Sequence, residues 1–565
     1  MAHVTGRASG SRASSRPVSQ AAPPPDQLAA AISAWLTEHP QAAVLDDGRL
    51  LFDMRWAKYS VAESHGRCVL QLWSDERNLI RSVVAVESRS GCLKLATRRM
   101  GASRPETLEL APTSERRTPT ARDTARRQYL RLIERVLERA FPDHRGEGLR
   151  TAADLEHSFG PACIRGLLLR GGSSSEAVVA VSAEESASTI DGALTVALLW
   201  LDYCREHAVS RPRANRHVGG ICLIVPAGNW RRTAERMAWL NPNLASYRLF
   251  TLDERSEELT EIDYHDIGNL DSRLVHSKLV HAFDANRVLD RVQSGIDRVL
   301  NLVPPPSRPR VEIRANSSTE AGLLLHGLEF ACVRQQAASD SFALREEITF
   351  GAGANETPLN EETEPLCRDL LSQLFRSRYP GGTQADALFR LQPERWLESS
   401  IRTHLADFLP NLRGEFLYSQ VPAIGAGERG MLDLLTIDRQ GRLTILEVKA
   451  DEDMHLPLQG LDYWMRVHAL HAEHKSGHQG APVASTRPET FTQQGYFPGA
   501  QLSEQPPKLL MIAPALRVHP SNEIVLRYLS PQVEWELITV GEEWRHELKT
   551  IHRRRSGSRL NEPAI

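Results

Sequence analysis

Lysine is scarce in this chain of 565 residues, since only seven of its 68 basic residues are lysines and the rest are arginines. A bias of this kind is typical of proteins from GC-rich genomes. The formal net charge of -3 gives no basic signal over the whole chain. Any contact with nucleic acid therefore has to come from a local patch.

Other absences narrow the class of protein further. The seven cysteines are scattered without a CxxC pair, which argues against a zinc site or a disulfide framework and favours a reducing, cytoplasmic location. No run of 18 apolar residues is present, so a membrane span is not expected. The phosphate-binding motif GxxxxGK[ST] is also missing, so any ATP-driven action would need a partner subunit.

The length is too great for one hydrophobic core, and changes of composition divide the chain into five parts. The first residues are rich in Ser, Arg, Ala and Pro and lack the apolar segment of a secretion signal. The predicted parts are a disordered tail (1–25), a small helix-plus-β module (26–118), an α/β domain (119–256), a helical connector with a β module (257–352) and a C-terminal α/β domain (353–555).

The C-terminal domain has an α-β-β-β-α-β-α-β order of predicted elements. This mixed order favours an α/β fold with a central sheet and helices on both faces. The segments are PERWLESSIRTHLADFL (helix), EFLYSQVPA, MLDLLTID and RLTILEVKA (strands), LPLQGLDYWMRVHALHAEH (helix), KLLMIAPAL (strand), SNEIVLRYL (helix) and VEWELITVG (strand).

One of the few lysines lies in the apolar strand ILEVKA, beside a glutamate. Because side chains alternate along a strand, Glu447 and Lys449 share one face. The preceding hairpin strand carries Asp433, and antiparallel pairing brings it close to Glu447. Two adjacent carboxylates repel each other unless a cation lies between them, and oxygen ligands suit Mg²⁺ or Mn²⁺. The pattern predicts a metal site in which Lys449 assists an attacking water or neutralises developing charge.

Asp433, thirteen residues and then Glu447-Val448-Lys449 resembles the signature of the PD-(D/E)xK nuclease superfamily. The order of elements over roughly residues 385–520 is similar to the restriction-endonuclease-like fold of that superfamily. The family's proline before the aspartate is absent, because Leu432 stands there. The resemblance implies a metal-dependent nuclease in which Asp433 and Glu447 bind Mg²⁺ or Mn²⁺ and Lys449 is catalytic.

Three further residues match patterns found in parts of the superfamily, and a fourth is selected by its place in the chain. Glu398 on the first helix takes the place of an additional acidic residue that supports the metal. Gln459 and Tyr463, at i and i+4 of the following helix, resemble the QxxxY feature of some branches, with Gln459 supporting the site and Tyr463 facing DNA. Arg429, just ahead of the Asp433 strand, is expected to contact a phosphate. The alternative interpretation is that these charges form a solvated ion-pair face and an ordinary helix surface.

An internal repeat connects this domain with the α/β domain at 119–256. EAVVAVSAEE runs parallel to LTILEVKADE, ICLIVPAG to LLMIAPAL, and AWLNPNLASYRLF to RYLSPQVEWELI. We therefore expect a second copy of the same fold. In this register Ala180 corresponds to Glu447 and Ser182 to Lys449, so the earlier copy lacks the proposed ligands and is expected to be degenerate.

The expected activity is hydrolysis of phosphodiester bonds in DNA, by an endonuclease or an exonuclease. One intact copy and one emptied copy suit nicking or cleavage of special DNA structures, in bacterial repair, recombination or defence. RNA as the substrate, a homodimer and a partner protein stay open. The alternative function is that of a catalytically silent nucleic-acid-binding or assembly protein with the same fold.

Overall fold

The computed structural model describes most of the chain, and the statements below refer to that part. The start of the predicted tail lies outside it. The described residues are 24–46, 49–54, 57–64, 66–73, 78–89, 92–99, 106–112, 119–154, 156–170, 174–209, 217–266, 278–279, 283–337, 344–353, 355–425, 428–476 and 491–557.

The chain forms two compact units, and the first is built mainly from residues before Glu115 together with Glu356–Thr363. Its elements are α1 (Pro25–Glu38), β1 (Ala43–Asp46), β2 (Arg49–Asp53), β3 (Lys58–Ser64), β4 (Arg67–Trp73), β5 (Asn78–Arg89), β6 (Cys92–Arg98) and β7 (Glu106–Ala111). The strands form one antiparallel sheet in the order β2-β1-β7-β6-β5-β4-β3. Helix α1 buries Leu28, Ile32 and Leu36, spaced four residues apart, in the core that covers this sheet.

The second unit begins with an α/β sheet. Its elements are α2 (Pro119–Ala140), β8 (His144–Arg150), β9 (Cys163–Arg170), β10 (Ser174–Val181), α3 (Ala187–Asp191), α4 (Ala193–Val209), β11 (His217–Pro226), α5 (Arg231–Met237), β12 (Ser246–Asp253) and β13 (Glu258–Ile262). The order is β13-β12-β11-β10-β9-β8, in which β10, β11 and β12 are parallel and the other pairs are antiparallel. Helix α2 packs on one face and α4 on the other.

A helical and β segment follows in the same unit. Its elements are β14 (Lys278–Leu279), α6 (Ala285–Arg291), α7 (Gln293–Leu302), a 3₁₀ turn (Pro305–Arg310), β15 (Glu312–Ser317), β16 (Glu320–Leu325), β17 (Leu328–Ala337) and β18 (Leu344–Phe350); the short β19 (Thr357–Pro358) belongs to the first unit. Strands β15 to β18 form an antiparallel meander. Its first strand carries Arg314, whose guanidinium lies 4.0 Å from the carboxylate of Glu398.

The C-terminal part contains the second α/β sheet. Its elements are α8 (Glu364–Ser377), α9 (Ala387–Arg390), α10 (Pro393–Thr403), α11 (Leu405–Phe408), a 3₁₀ turn (Gly414–Phe416), β20 (Tyr418–Gly425), β21 (Glu428–Ile437), β22 (Leu443–Val448), α12 (Leu456–Ser476), β23 (Lys508–Pro514), a 3₁₀ turn (Ala515–Arg517), α13 (Ser521–Tyr528), β24 (Trp535–Val540) and β25 (Thr550–Arg555). The order is β14-β20-β21-β22-β23-β24-β25. The predicted first helix is interrupted at His404, which separates α10 from α11. The mixed α/β class expected from the sequence is confirmed.

The two α/β sheets have the same strand order and the same polarity. Strands β20 to β25 repeat β8 to β13, with two antiparallel pairs, then two parallel pairs and a final antiparallel pair. In each copy a helix follows the third strand and a shorter helix follows the fourth. The segments that repeat in the sequence therefore occupy equivalent places in two similar sheets.

The two sheets share one hydrophobic core, which lies between their inner faces and includes α4 and α12. At its edge Leu240 pairs with Leu529, and these residues hold the same place in their own copies. The backbone N–H of Asn241 donates to the carbonyl of Tyr528 at 2.8 Å, and the N–H of Ser530 donates to Trp239 at 2.8 Å. This reciprocal exchange is the mark of an approximate two-fold axis.

Two ion pairs also join the copies. Asp462 on α12 accepts two hydrogen bonds of 2.8 Å from Arg236 on α5. Asp202 on α4 accepts one of 3.0 Å from Arg527 on α13. Each aspartate belongs to a Leu-Asp-Tyr sequence, so Tyr203 and Tyr463 are equivalent residues. No helix among the described residues is both long enough and apolar enough to cross a membrane.

Candidate active site

The end of β22 holds the first two residues of the predicted site. Glu447 follows Leu443 and Ile445 on the face of the sheet that looks toward α12, and its side chain is only 2% exposed. Lys449 comes directly after the strand, and its backbone N–H donates to the carbonyl of Ile512 at 2.9 Å. The alternation of a β-strand therefore turns both side chains to one side, as the sequence predicted.

Asp433 lies beside them on β21. The next residue, Leu434, pairs with Leu446, so Asp433 stands across the hairpin from Glu447. Its Oδ2 accepts a hydrogen bond of 2.9 Å from the backbone N–H of Val448. The hairpin brings the two proposed metal ligands together.

Lys449 is surrounded by carboxylates. Its Nζ lies 4.0 Å from Glu447, 3.4 Å from Glu394 and 3.9 Å from Asp453. Neither Glu394 nor Asp453 was selected from the sequence. A signal was available for Glu394, because it lies four residues before Glu398 and therefore on the same face of α10.

Glu398 lies on α10 and is 3% exposed. Its Oε2 accepts hydrogen bonds from Gln420 at 2.7 Å and from Arg395 at 3.2 Å. Arg314, from β15, approaches its other oxygen at 4.0 Å. The same Gln420 amide lies 3.3 Å from Oδ1 of Asp433, so the predicted supporting acid is linked to the metal ligand through one residue.

Gln420 is a third residue that sequence reasoning missed. It has a φ of +52°, which is in the left-handed region that residues other than glycine rarely adopt. Strain of this kind is concentrated at functional sites, where the surroundings hold it in place. The sequence YSQVP gives no sign of this conformation.

Helix α12 closes the other side of the site. Gln459 is partly buried, and the side chains of Arg466 and Tyr463 fill the space where a Cβ on Gly430 of β21 would lie. Burial raises the pKa of the Tyr463 hydroxyl, and the neighbouring Glu447 and Asp433 charges add to this effect. Tyr463 therefore borders the two carboxylates. Arg429 lies on β21 opposite Ile424, and its side chain is outside the described residues.

The carboxylates are placed at an electrostatic cost. Burial raises the pKa of Glu447 well above its usual value, and the nearby Asp433 adds to this. Burial also raises the pKa of Asp433, although the Val448 N–H and the Lys449 ammonium act in the opposite direction. Burial works against the charge on Lys449 too, but the surrounding carboxylates outweigh it and raise its pKa. A cation among these groups would relieve the repulsion between the carboxylates.

Several oxygen atoms at the site are buried without a hydrogen-bond donor in the described structure. They are Oε2 of Glu447, Oε1 of Glu398 and Oε1 of Gln459. Buried acceptors are normally satisfied, so orphaned ones call for an explanation such as an ion or water. No group of three or more His, Cys, Asp and Glu residues forms a metal shell among the described residues. The two carboxylates nevertheless fit Mg²⁺, which keeps several waters and takes one or two protein carboxylates.

The earlier copy has none of these groups, but the register expected from the sequence is wrong by one residue. Glu447 pairs with Met511, three residues before Pro514, and Val179 pairs with Leu223, three residues before Pro226. Val179 therefore corresponds to Glu447. Ala180 faces the outer helix α2 instead, so it cannot be the equivalent residue.

The same register gives the other equivalents in the emptied copy. Val181 takes the place of Lys449. Arg165 pairs with Val179 across the β9–β10 hairpin, so it takes the place of Asp433. Aligning VSAEE with VKADE by their shared residues gives a register that is wrong by one residue. The pairing of each strand with its parallel neighbour gives the correct register.

Comparison with models of known protein families found no match, and no curated protein matches the sequence.

Proposed function

We propose that the protein is a metal-dependent phosphodiesterase of the restriction-endonuclease-like class that acts on DNA. The observation that carries the proposal is the convergence of Asp433, Glu447 and Lys449 at one hairpin end, with a buried Glu447 oxygen that has no donor in the described structure. Structural ion pairs normally satisfy both oxygens of a buried carboxylate. A site for a divalent cation accounts for the orphaned one.

The residues have separate roles in this proposal. Asp433 and Glu447 would hold Mg²⁺ or Mn²⁺, which when bound supplies an activated water and stabilises charge on the phosphate. Gln420 and the Val448 N–H fix the orientation of the Asp433 carboxylate. Glu398 and Gln459 each have a buried acceptor oxygen without a donor in the described structure, and these oxygens would accept hydrogen bonds from outer groups of a bound metal.

Lys449 acts as a charged donor in this scheme. Its ammonium is held among three carboxylates, so it is suited to orient the attacking water and to neutralise the charge that develops on the phosphate. Tyr463 borders the carboxylates from α12 and is the proposed DNA contact on that side. Arg429 is proposed to contact a phosphate from the edge of the same hairpin.

A single intact copy supports cleavage of one strand at a time. The emptied copy has apolar residues, Val179 and Val181, in place of the glutamate and the lysine, so it offers no second metal site. We therefore propose nicking or structure-specific cutting, in the setting of repair, recombination or defence. The alternative, a silent nucleic-acid-binding protein with this fold, makes the opposite prediction in a cleavage assay.

The test is cleavage of supercoiled plasmid and of single-stranded, branched and mismatched DNA, with a matching RNA, in Mg²⁺ or Mn²⁺ and with EDTA as the control. We expect metal-dependent nicks that disappear in Lys449→Ala and Glu447→Gln. Lys549→Ala, at an exposed lysine far along the chain, is the matched control and should cut normally. Absence of cutting on every substrate by a folded protein would remove the enzymatic proposal.

A further inference from the structure

The emptied copy carries two arginines where the intact copy carries an amide and an acid. In the intact copy Gln420 lies across β20–β21 from Asp433, since Ser419 pairs with Leu434 and Val421 with Leu432. In the emptied copy the pair at this place is Arg150 and Arg165. The place that would bind a metal cation in the intact copy is therefore occupied by two arginines in the emptied copy.

The two arginines have different surroundings. Arg165 is fully buried, and it donates hydrogen bonds to the carbonyls of Gly160 at 2.7 Å and Ala152 at 2.6 Å. Arg150 is exposed and lies over the ring of Trp200 at 5.2 Å from its centroid. Arg165 lies over the same ring at 5.7 Å. One guanidinium is thus fixed inside the copy, while the other is presented to solvent beside it.

A series of stacked rings leads from this point to the surface. Trp200 stacks on Tyr203 with centroids 5.0 Å apart, and Tyr203 stacks on His207 at 3.8 Å. His207 is exposed, and its Nδ1 is held 2.9 Å from the carbonyl of Tyr203. His157 stands edge-on to both Tyr203 and His207. Tyr203 is the equivalent of Tyr463, so the rings line the place of the second active site.

The charge of the neighbouring Asp154 acts on both Arg150 and Arg165, so one carboxylate faces two guanidinium groups. Arg150 has no carboxylate within ion-pair distance in the part of the chain that the structure describes. The nearest acid on the same loop, Asp154, is engaged with His157 at 3.0 Å. Burial lowers the pKa of Arg165, and the like charge of Arg150 acts in the same direction, whereas Cys163 and Asp154 act against it. An anion beside Arg150 would relieve the repulsion between the two arginines.

We infer that the emptied copy is a binding site for a strand of single-stranded DNA, with a backbone phosphate on Arg150 and a base stacked on His207. Aromatic faces next to a basic residue are the features that single-stranded nucleic acid recognises without sequence preference. The inference rests on the proposed function, because the bound strand is the one that the intact copy does not cut. The approximate two-fold axis gives the two copies equivalent faces for the two strands of a branched or locally opened duplex.

The experiment measures binding of a fluorescent single-stranded oligonucleotide to the full chain with Lys449→Ala, in EDTA, over a range of salt concentrations. Arg150→Gln should weaken binding about fivefold and lower the slope of log K against log [salt] by ~0.7, the loss of one phosphate contact. His207→Ala should weaken binding by about tenfold, with little change in that slope. Arg145→Gln, on the same strand β8 and also exposed, is the matched control.

The outcomes separate this inference from the proposed function. If Arg150→Gln and His207→Ala bind as tightly as Arg145→Gln and melt at the same temperature, the emptied copy is no binding site. If the wild type cuts no substrate yet the two variants lose affinity as described, the nuclease proposal fails and the binding site stands. Equal losses on duplex and single-stranded DNA would overturn the preference for a single strand.

Discussion

The side-chain amide of Gln420 stands 3.3 Å from Oδ1 of Asp433, and it reaches this position from a backbone with a φ of +52°. The same amide donates to Glu398 at 2.7 Å. One amide group therefore orients two carboxylates. The left-handed backbone that this requires costs about 1–2 kcal/mol for a residue with a Cβ.

Replacement of Gln420 by glycine should weaken metal binding while leaving the stability of the fold nearly unchanged. Gln420→Gly removes the backbone strain and should keep the free energy of unfolding within about 1 kcal/mol of wild type, since the lost hydrogen bonds offset the gain. Affinity for Mn²⁺ should fall because Asp433 is no longer oriented. Urea denaturation and Mn²⁺ titration measure the two effects. Unchanged Mn²⁺ affinity in Gln420→Gly would show that the amide does not position the ligand.

The buried Glu447 should make the metal-free protein less stable as the pH rises. Its pKa is higher in the folded state than the value of about 4.3 in an unfolded chain, so the folded state binds the proton more tightly. The contribution of Glu447 to the free energy of unfolding is therefore greatest below about pH 4.3. It falls as the pH rises toward the pKa of the folded state. Denaturation in EDTA at pH 5 and pH 8 should show this loss, and Glu447→Gln should reduce it by roughly 1 kcal/mol or more.

The matched control for that experiment is Glu547→Gln. Glu547 is exposed on the C-terminal segment, so its loss should leave the pH dependence as in the wild type. A Glu447→Gln protein whose stability falls with pH as much as the wild type would contradict the role given to the Glu447 charge.

Metal affinity should increase with pH for the same reason. The carboxyls of Glu447 and Asp433 both have raised pKa values, so a cation must displace whatever proton they hold. We expect Mn²⁺ affinity to rise by up to ~tenfold per pH unit for each displaced proton and then to level off. Calorimetry in buffers of different ionisation enthalpy counts the released protons. Affinity that is independent of pH between 5 and 8 would speak against these ligands.

The two ion pairs between the copies should differ in strength. Arg236 is 2% exposed and contacts both Asp462 and Asp191. Its replacement by alanine removes the Arg236 ion pair of the mostly buried Asp462, while Asp191 keeps Arg232 at 3.1 Å, and should cost about 3–5 kcal/mol. Arg527 is about two-fifths exposed, so Arg527→Ala is the matched control and should cost less than ~1 kcal/mol. Chemical denaturation compares them, and equal losses would contradict the burial argument.

Much of the site follows from the chain locally. The alternation of ILEVKA places Glu447 and Lys449 on one face, and the short RQG turn brings Asp433 alongside, because the pairing of a hairpin is set by its turn. The i, i+4 spacing likewise places Gln459 and Tyr463 on one side of α12. Each of these arrangements depends on neighbours within about thirty residues and on the fixed geometry of a strand or a helix.

Other contacts could not be found in this way. Gln420 joins the site only because β20 packs against the β21–β22 hairpin, and its left-handed backbone has no signature in its neighbours. The spacing of Glu394 from Glu398 places it on the same face of α10, but its contact with Lys449 depends on how α10 packs. The register of the emptied copy depended on the partner strand β11, so matching letters alone placed Ala180 one residue away from the correct Val179. A shift of one residue moves a strand side chain to the opposite face, which only the packed core reveals.

The sequence by itself determined the mixed α/β class, the repeated pattern of strands and the pair of charges at the end of β22, because these follow from periodicity and local chemistry. Only the tertiary structure decided that the two copies exchange backbone hydrogen bonds at Leu240 and Leu529, and that Arg150 and Arg165 stand where the intact copy has Gln420 and Asp433. The physical reason is that pairing between strands and packing between sheets bring together residues that are far apart in the chain. The local sequence pattern around each residue does not specify these contacts.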